Sequence, residues 1–157
     1  MDSMQKDEVI AIASDHAGFL LKGVLLEDLR DLGYKVLDLG TNSLDSVDYP
    51  VFAQNLATTV ADGKAMWGVV LCGTGIGVSI AANRYPGVRA ALCHDVETTR
   101  LGRRHNNANV LALGARIIDE ATAKLCVREF LVTEFEGGGR HAKRVGMLSP
   151  VSQTIAL

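Results

Sequence analysis

A cysteine stands directly before a run of alternating glycines, Cys72-Gly73-Thr74-Gly75-Ile76-Gly77. Glycines at this spacing let the backbone come close to a bound molecule and turn its N–H groups toward it. A cysteine at such a loop, ahead of a helix, is favoured as a thiolate, which can act as a base or a nucleophile. A tight turn beside a small buried cysteine would give the same pattern, so the loop alone leaves both interpretations open.

The glycine loop matches neither of the common nucleotide-binding motifs. A dinucleotide fingerprint needs glycine at position 78, where the chain has Val78. No Gly-Lys-Ser/Thr follows either, so the loop does not have the pattern of a P-loop. The other two cysteines, Cys93 and Cys126, have no glycine loop beside them and are predicted to lie in the core.

Histidines supply candidate acid–base groups, although a lone histidine is more often structural. The chain has four, His16, His94, His105 and His141. His16 follows the first predicted strand directly, and His105 ends the fourth predicted helix. A zinc site formed by histidines with Cys72 and Cys93 is a poor match, because the spacings are irregular.

Arginines supply candidate anion-binding groups. Arg140 and Arg144 are four residues apart, so a helical tail would place both on one face, and Arg116 follows the fifth predicted strand. Guanidinium groups suit phosphate, while a solvated basic face is the alternative. A thiolate base, histidines and a phosphate clamp together indicate proton transfer on a small phosphorylated molecule.

Short apolar runs alternate with helical patterns along the chain. Strands are predicted over 8–14, 34–39, 67–72, 88–93 and 109–113, and helices over 20–32, 51–60, 78–85, 95–104 and 119–133. Five strand–helix units predict a doubly wound α/β sheet with helices on both faces. Ligands bind beyond the carboxyl ends of such strands, where Asp15, the glycine loop and Arg116 stand.

Length and composition narrow the class of protein. The 157 residues, of 16.8 kDa, predict one domain over 1–157, with a core over 8–135 and a tail over 136–157 that we expect to pack on a partner subunit. A formal net charge of −2 argues against a nucleic-acid or anionic-membrane partner. Three cysteines without CxxC spacing, no membrane-length apolar run and a polar start predict a cytoplasmic protein without disulfides.

Seven motifs occur together in one order along nearly the whole chain. They are Ala13-Ser14-Asp15-His16-Ala17-Gly18, Asp48-Tyr49-Pro50, the 72–77 loop, Ala81-Ala82-Asn83-Arg84, His105-Asn106, 109–116 and Gly139-Arg140-His141. Each motif is modest alone, but the set is specific. From about Val9 to Arg144 the chain closely resembles the ribose/galactose isomerase family, and within it the type B ribose-5-phosphate isomerases.

The resemblance implies a three-layer α/β/α Rossmann-like fold with a five-stranded parallel sheet. It implies a homodimer, or a dimer of dimers, with active sites at the subunit interface. It further implies interconversion of D-ribose 5-phosphate and D-ribulose 5-phosphate through an ene-diolate, a step of the non-oxidative pentose phosphate pathway, without a metal or other cofactor.

Individual roles are also implied by the resemblance. Cys72 matches the base that moves a proton between carbons 2 and 1 of the sugar. Thr74 and the backbone of Gly73, Gly75, Ile76 and Gly77 would stabilise the ene-diolate oxygens, and His105 would open the furanose ring. The sugar would contact Asp15, Tyr49 and Asn106. The phosphate would contact His16, Arg116, Arg140 and Arg144, some of them from the partner chain.

Two details refine the resemblance, and other functions stay open. One branch of the family replaces the cysteine by a glutamate at the position of Val78, so Cys72 indicates the cysteine branch. The tail has three glycines before Arg140 where the family usually has two. The first alternative is isomerisation of allose 6-phosphate or galactose 6-phosphate. A non-catalytic phosphate- or nucleotide-binding module and an interaction protein are the others.

Overall fold

A computed structural model describes residues 7–148 of the chain. Its strands are β1 (Val9–Ser14), β2 (Lys35–Asp38), β3 (Trp67–Cys72), β4 (Ala90–Leu92) and β5 (Val110–Gly114). Its helices are α1 (Phe19–Asp31), α2 (Tyr49–Ala61), α3 (Ile76–Ala82), α4 (Val96–Asn106), α5 (Glu120–Val132) and α6 (Gly139–Gly146).

The five strands form one parallel sheet in the order β2-β1-β3-β5-β4. β3 and β5 are apolar and buried almost throughout, because helices cover both faces of a parallel sheet. Their register pairs Gly68 with Val110 and Cys72 with Gly114, so both strands end at the same edge. The predicted three-layer α/β/α architecture is confirmed.

Alternate residues of each strand point into two separate cores. One core joins Ile12, Leu71 and Leu113 to α1 and α5. The other joins Ala13 and Cys72 to α2 and α3, and its residues are smaller. The catalytic candidate Cys72 therefore faces the α2–α3 side of the sheet, whereas Cys93 belongs to the core on the opposite side.

Most predicted boundaries shift by one to three residues in the structure, and three of the shifts have a clear cause. β4 keeps only the three residues Ala90–Leu92 of the predicted 88–93, because it is an edge strand that pairs with β5 alone. α3 ends at Ala82, before the turn at Pro86-Gly87. α4 continues to Asn106, two residues past the prediction, and ends where Asn107 adopts a left-handed φ of 48°.

Residues 136–148 of the tail contain one helix, α6, which packs against α4 of the same chain. The backbone N–H of Glu136 donates to the carbonyl of Arg104 at 2.9 Å and ties the start of the tail to α4. Residues 149–157 of the predicted tail lie outside the described residues. Within 7–148, no helix has the length and apolar character needed to cross a bilayer.

Candidate active site

The direction in which successive strands are added to the sheet reverses between β1 and β3. From β1 the chain continues to β2 on one side, and from β3 to β4 and β5 on the other. Such a switch point opens a crevice beyond the carboxyl ends of the two central strands. Asp15 and His16 follow β1 at this position, and the glycine loop follows Cys72 of β3, so the sequence-based placement of these residues is confirmed.

Cys72 is the thiol at the crevice. It is the last residue of β3 and 5% exposed, and its Sγ accepts a hydrogen bond from the backbone N–H of Gly75 at 3.2 Å. Burial raises the pKa of both Cys93 and Cys126, which keeps those two as neutral thiols in the core. Only Cys72, among the three cysteines, has a backbone donor on its sulfur within the described chain.

Two glycines of the loop have close neighbours, and at Gly75 these include backbone atoms. Gly75 has φ +78°, and a Cβ there would lie 2.5 Å from Leu92 Cδ1 and 2.9 Å from the carbonyl carbon of Leu113. A Cβ on Gly77 would lie 2.5 Å from Tyr49 Cζ. The Tyr49 ring therefore lies directly on the loop.

The loop offers several unpaired amides beside the thiol. Within residues 7–148, the backbone N–H groups of Gly73, Thr74 and Gly77 donate no hydrogen bond. The hydroxyl of Thr74 is exposed and accepts the N–H of Ile76 at 3.2 Å. A group of free N–H donors next to a thiol suits an oxygen that develops negative charge close to the sulfur.

A cation closes the crevice on the β5 side. The backbone N–H of Arg116 donates to the carbonyl of Gly73 at 2.9 Å, and its guanidinium Nη1 would lie 3.3 Å from a Cβ on Gly73. On the β1 side, Asp15 is buried, and its Oδ1 accepts the N–H of Gly18 at 3.1 Å. We call this group the carboxyl-edge cluster; it comprises Asp15, His16, Tyr49, the 72–77 loop and Arg116.

The other predicted site residues lie at the opposite end of the sheet. α4 starts after β4 at the carboxyl edge and returns the chain to the start of β5, so His105 and Asn106 at its end stand at the amino edge. The 11 residues of α4 span about 16 Å, and the five of β5 about 13 Å from first to last. Within one chain, Cys72 and His105 are therefore too far apart to act on one small sugar.

His105 has its own partners at the amino edge. Its ring stacks on that of His141 with centroids 4.2 Å apart and planes 4° from parallel. His141 Nε2 lies 3.7 Å from Glu136 Oε2. A cavity of about 280 Å³ lies here, lined by His105, Asn106, His141, Arg144, Val145 and Leu148. The residues at this edge are called the amino-edge cluster, which comprises His105, Asn106, Glu136, Arg140, His141 and Arg144.

The charge of the amino-edge cluster suits an anion better than a metal ion. Ligand atoms of His105, Glu136 and His141 all lie within 4.8 Å of one another, which is a possible metal-binding geometry. However, Glu136 is paired with Arg104, and Arg140 and Arg144 add further positive charge. Partial burial lowers the pKa of His141, and the charges of His105 and the two α6 arginines lower it further.

A zinc site that uses both Cys72 and Cys93 is contradicted by the geometry. Cys72 and Cys93 lie in cores on opposite faces of the sheet. Zinc–sulfur bonds are about 2.3 Å long, so one ion cannot reach both sulfurs across the sheet. Of the four histidines, His94 is exposed beyond β4 and joins neither cluster.

Sequence patterns gave no reason to single out Arg103, which fixes the end of α4. Arg103 is 5% exposed and donates hydrogen bonds to the carbonyl of Ala108 at 2.6 Å, the side chain of Asn107 at 3.0 Å and the carbonyl of Thr133 at 3.2 Å. Its guanidinium carbon lies 4.3 Å from the centroid of the Trp67 ring. Burial lowers its pKa to about 10.

Comparison with known proteins decides the family. The family model described as Ribose/Galactose Isomerase matches residues 10–148. The chain belongs to the ribose/galactose isomerase family. Among its relatives in that family, the ribose-5-phosphate isomerase B of Escherichia coli is 42% identical over 144 residues, which are 92% of this chain and 96% of that protein.

Two further members of the ribose/galactose isomerase family are informative. The crystal structure of a ribose 5-phosphate isomerase from Thermotoga maritima superposes with a TM-score of 0.89 at 48% identity, covering 92% of this chain and 99% of that one. The D-erythrulose-4-phosphate isomerase of Pectobacterium atrosepticum is 43% identical over 135 residues, 85% of this chain and 89% of that protein. The family thus includes isomerases that are named for phosphorylated sugars of different chain length.

Proposed function

We propose that the chain is a ribose-5-phosphate isomerase that interconverts D-ribose 5-phosphate and D-ribulose 5-phosphate through an ene-diolate. The observation that carries this proposal is Cys72, a thiol held at a switch point beside free backbone amides of a loop on which Tyr49 lies. Membership of the ribose/galactose isomerase family supports the reaction class.

The chemistry needs one base and one oxyanion site. The Cys72 thiolate takes the proton from carbon 2 of the open-chain aldose, and the electron pair moves through the carbon 1–carbon 2 bond onto the carbonyl oxygen. The amides of Gly73, Thr74 and Gly77 donate to the ene-diolate oxygens. A proton next passes from the oxygen on carbon 2 to the oxygen on carbon 1. The electron pair on the carbon 2 oxygen then re-forms a carbonyl while the carbon 1–carbon 2 double bond takes the proton back from the thiol at carbon 1, and the product is the ketose. No net oxidation occurs and no external co-reactant is consumed.

The remaining roles follow the family pattern at matching positions. His105 acts as the acid–base group that opens the furanose ring, and Asn106, Asp15 and Tyr49 contact the sugar. His16, Arg116, Arg140 and Arg144 hold the phosphate. Arg116 and His16 lie at the carboxyl edge, whereas Arg140 and Arg144 lie on α6 at the amino edge.

A complete site therefore needs two chains. We infer that the amino-edge cluster of one chain is placed over the carboxyl-edge cluster of its partner, in a homodimer or a dimer of dimers. The separation of about 13–16 Å between the two edges supports this, because a five-carbon sugar phosphate is shorter than that span. A two-fold dimer would contain two equivalent composite sites.

The chain length of the sugar is the alternative worth testing. The four-carbon D-erythrulose 4-phosphate is supported by the 43% identical Pectobacterium relative. Six-carbon allose 6-phosphate and galactose 6-phosphate are the alternatives that the sequence left open. All of these substrates share the proton transfer and the terminal phosphate, so they differ in the fit of the hydroxyls and not in the role of Cys72.

The test is a direct assay with a chelator present. The purified chain is incubated with ribose 5-phosphate, and ribulose 5-phosphate is followed by absorbance or NMR. Erythrulose 4-phosphate and allose 6-phosphate are run in parallel. The highest kcat/KM on ribose 5-phosphate is expected. A higher value on another sugar would change the substrate and keep the mechanism, whereas inactivity on all of them would overturn the proposed function.

A further inference from the structure

The segment 40–48 joins β2 to α2 across the carboxyl edge, and we call it the strap. Its first residues hydrogen-bond with the end of β1: the N–H of Ser14 donates to the carbonyl of Gly40 at 2.7 Å, and the N–H of Thr41 donates to the carbonyl of Ser14 at 2.8 Å. The start of the strap is therefore paired with Ser14, the residue that directly precedes Asp15 and His16 in the sequence.

A second fixed point lies at the base of the strap. The carboxylate of Asp38 accepts the N–H of Gly40 at 3.0 Å and the ammonium group of Lys22 at 2.5 Å. The side chain of Lys22 is only 3% exposed and that of Asp38 is 29% exposed, so the lysine end of this ion pair is shielded from water. The position of the strap relative to β1 is thus set by several hydrogen bonds and one partly buried ion pair.

The other end of the strap contacts His16 itself. The backbone N–H of Val47 donates to His16 Nδ1 at 3.2 Å. A backbone N–H can only donate, so Nδ1 must carry a lone pair. An imidazolium ion, or the neutral tautomer with a proton on Nδ1, would place two N–H groups against each other. Only the neutral ring with its proton on Nε2 satisfies this contact.

The second nitrogen of His16 is available to a ligand. Within residues 7–148, His16 Nε2 makes no hydrogen bond, and the ring is half-buried at the crevice. Because the two ring nitrogens point away from each other, a ring held at Nδ1 by the strap presents Nε2–H on its other side. The Arg116 guanidinium contributes the positive charge at the same edge.

We propose that the Val47 N–H is a positioning group that locks His16 as the neutral Nε2–H tautomer, so that His16 binds the substrate phosphate as a directed hydrogen-bond donor and not as a cation. The identity of the anion rests on the proposed function. Val47 also lies two residues before Tyr49, so the same bond links the phosphate end of the site to the side chain that lies over the glycine loop.

The tautomer can be measured without any activity assay. The chain is labelled with ¹⁵N-histidine, and long-range ¹H–¹⁵N spectra are recorded near neutral pH without ligand and with inorganic phosphate. The His16 signals are those lost in His16→Gln. We expect an unprotonated Nδ1, a protonated Nε2 and a phosphate-induced shift at Nε2. A protonated Nδ1, or shifts averaged over both tautomers, would overturn the lock.

A proline pair tests whether the bond acts through His16. Val47→Pro removes the donor, whereas Leu44→Pro stiffens the exposed middle of the strap at an N–H that has no hydrogen bond within the described chain. We expect Val47→Pro to mix the His16 tautomers and raise KM for ribose 5-phosphate about tenfold, with little change in kcat, which is the loss of one directed donor to an anion. Leu44→Pro should change neither quantity.

The outcomes separate this inference from the proposed function. An inactive wild-type chain with the Nε2–H tautomer would reject the isomerase and retain the lock. An active chain in which Val47→Pro leaves both the tautomer and KM unchanged would reject the lock and retain the isomerase. Circular dichroism establishes whether each proline variant is folded. If Val47→Pro does not fold, the wild-type spectra still decide the tautomer of His16.

Discussion

Two defective subunits should form one working site if each site is shared between chains. Cys72→Ala disables the carboxyl-edge cluster, and His105→Gln disables the amino-edge cluster. Within one chain these residues are separated by roughly 13–16 Å, the length of β5 or α4. A dimer with one copy of each variant therefore contains one composite site with both defects and one with none.

The expected magnitude follows from this count. Each variant alone should lose about 10²–10⁴-fold in kcat, the usual contribution of a positioned acid–base group. The mixed dimer, co-expressed with two tags and purified over both, should show about half of the wild-type kcat per dimer. The increase over either parent is therefore at least on the order of fiftyfold, well outside assay error.

A reciprocal dimer provides the control. One chain carries both Cys72→Ala and His105→Gln, and the other is wild type. If sites are shared, each site of this dimer has one defect and activity is lost. If each chain held a complete site, this dimer would keep about half of the activity and the first would have none. That reversed pattern would refute the shared site.

Four further outcomes are expected. Cys72→Ala should lower kcat about 10²–10⁴-fold while calorimetry still detects sugar phosphate binding, and retained activity would remove Cys72 as the base. Arg140→Ala should raise KM about tenfold or more with kcat nearly unchanged, since a charge-assisted hydrogen bond contributes about 1.5–3 kcal/mol; a fall in kcat alone would argue against phosphate binding. Gly75→Ala should lower the free energy of unfolding by about 1–3 kcal/mol more than Gly63→Ala, because both have positive φ but only Gly75 has close neighbours; equal losses in urea titrations would contradict this. The pKa of His141 is lowered in the folded chain, so between about pH 7 and about pH 5 the unfolded chain binds more protons than the folded chain. The free energy of unfolding should therefore fall as the pH is lowered through this range. A fall of the same size in His141→Gln would contradict this.

Local pattern was sufficient for most of the fold. The apolar runs of β1, β3 and β5 are continuous because helices bury both faces, and this predicted a parallel sheet. Pattern failed where neighbours decide the structure. Edge strand β4 is three residues long, and Leu20 and Leu125 fit helical apolar spacing yet are 66% and 55% exposed.

The candidate site likewise contains residues whose position the sequence predicts and contacts that it does not predict. Residues that directly follow strands were predictable, because every strand of a parallel sheet ends at one edge. The contacts of His105 with His141 and of His16 with Val47 join segments 36 and 31 residues apart, and no sequence period links them. The resemblance implied a role for His105, and the course of α4 shows that His105 lies at the opposite edge of the sheet from Cys72.

That course also gives a physical reason for two chains. A right-handed crossover must carry the chain back to the amino edge before each new parallel strand, so a residue at the end of a crossover helix cannot share a crevice with a residue at the end of a strand. Cys72 ends a strand, and His105 ends a crossover helix. The fold thus separates the proposed base from the proposed ring-opening group in every copy. In the proposed dimer, catalysis and assembly are therefore coupled. A lone chain has both the thiol and the histidine, but it cannot bring them to the same sugar, so it cannot both open the furanose ring and isomerise the open chain.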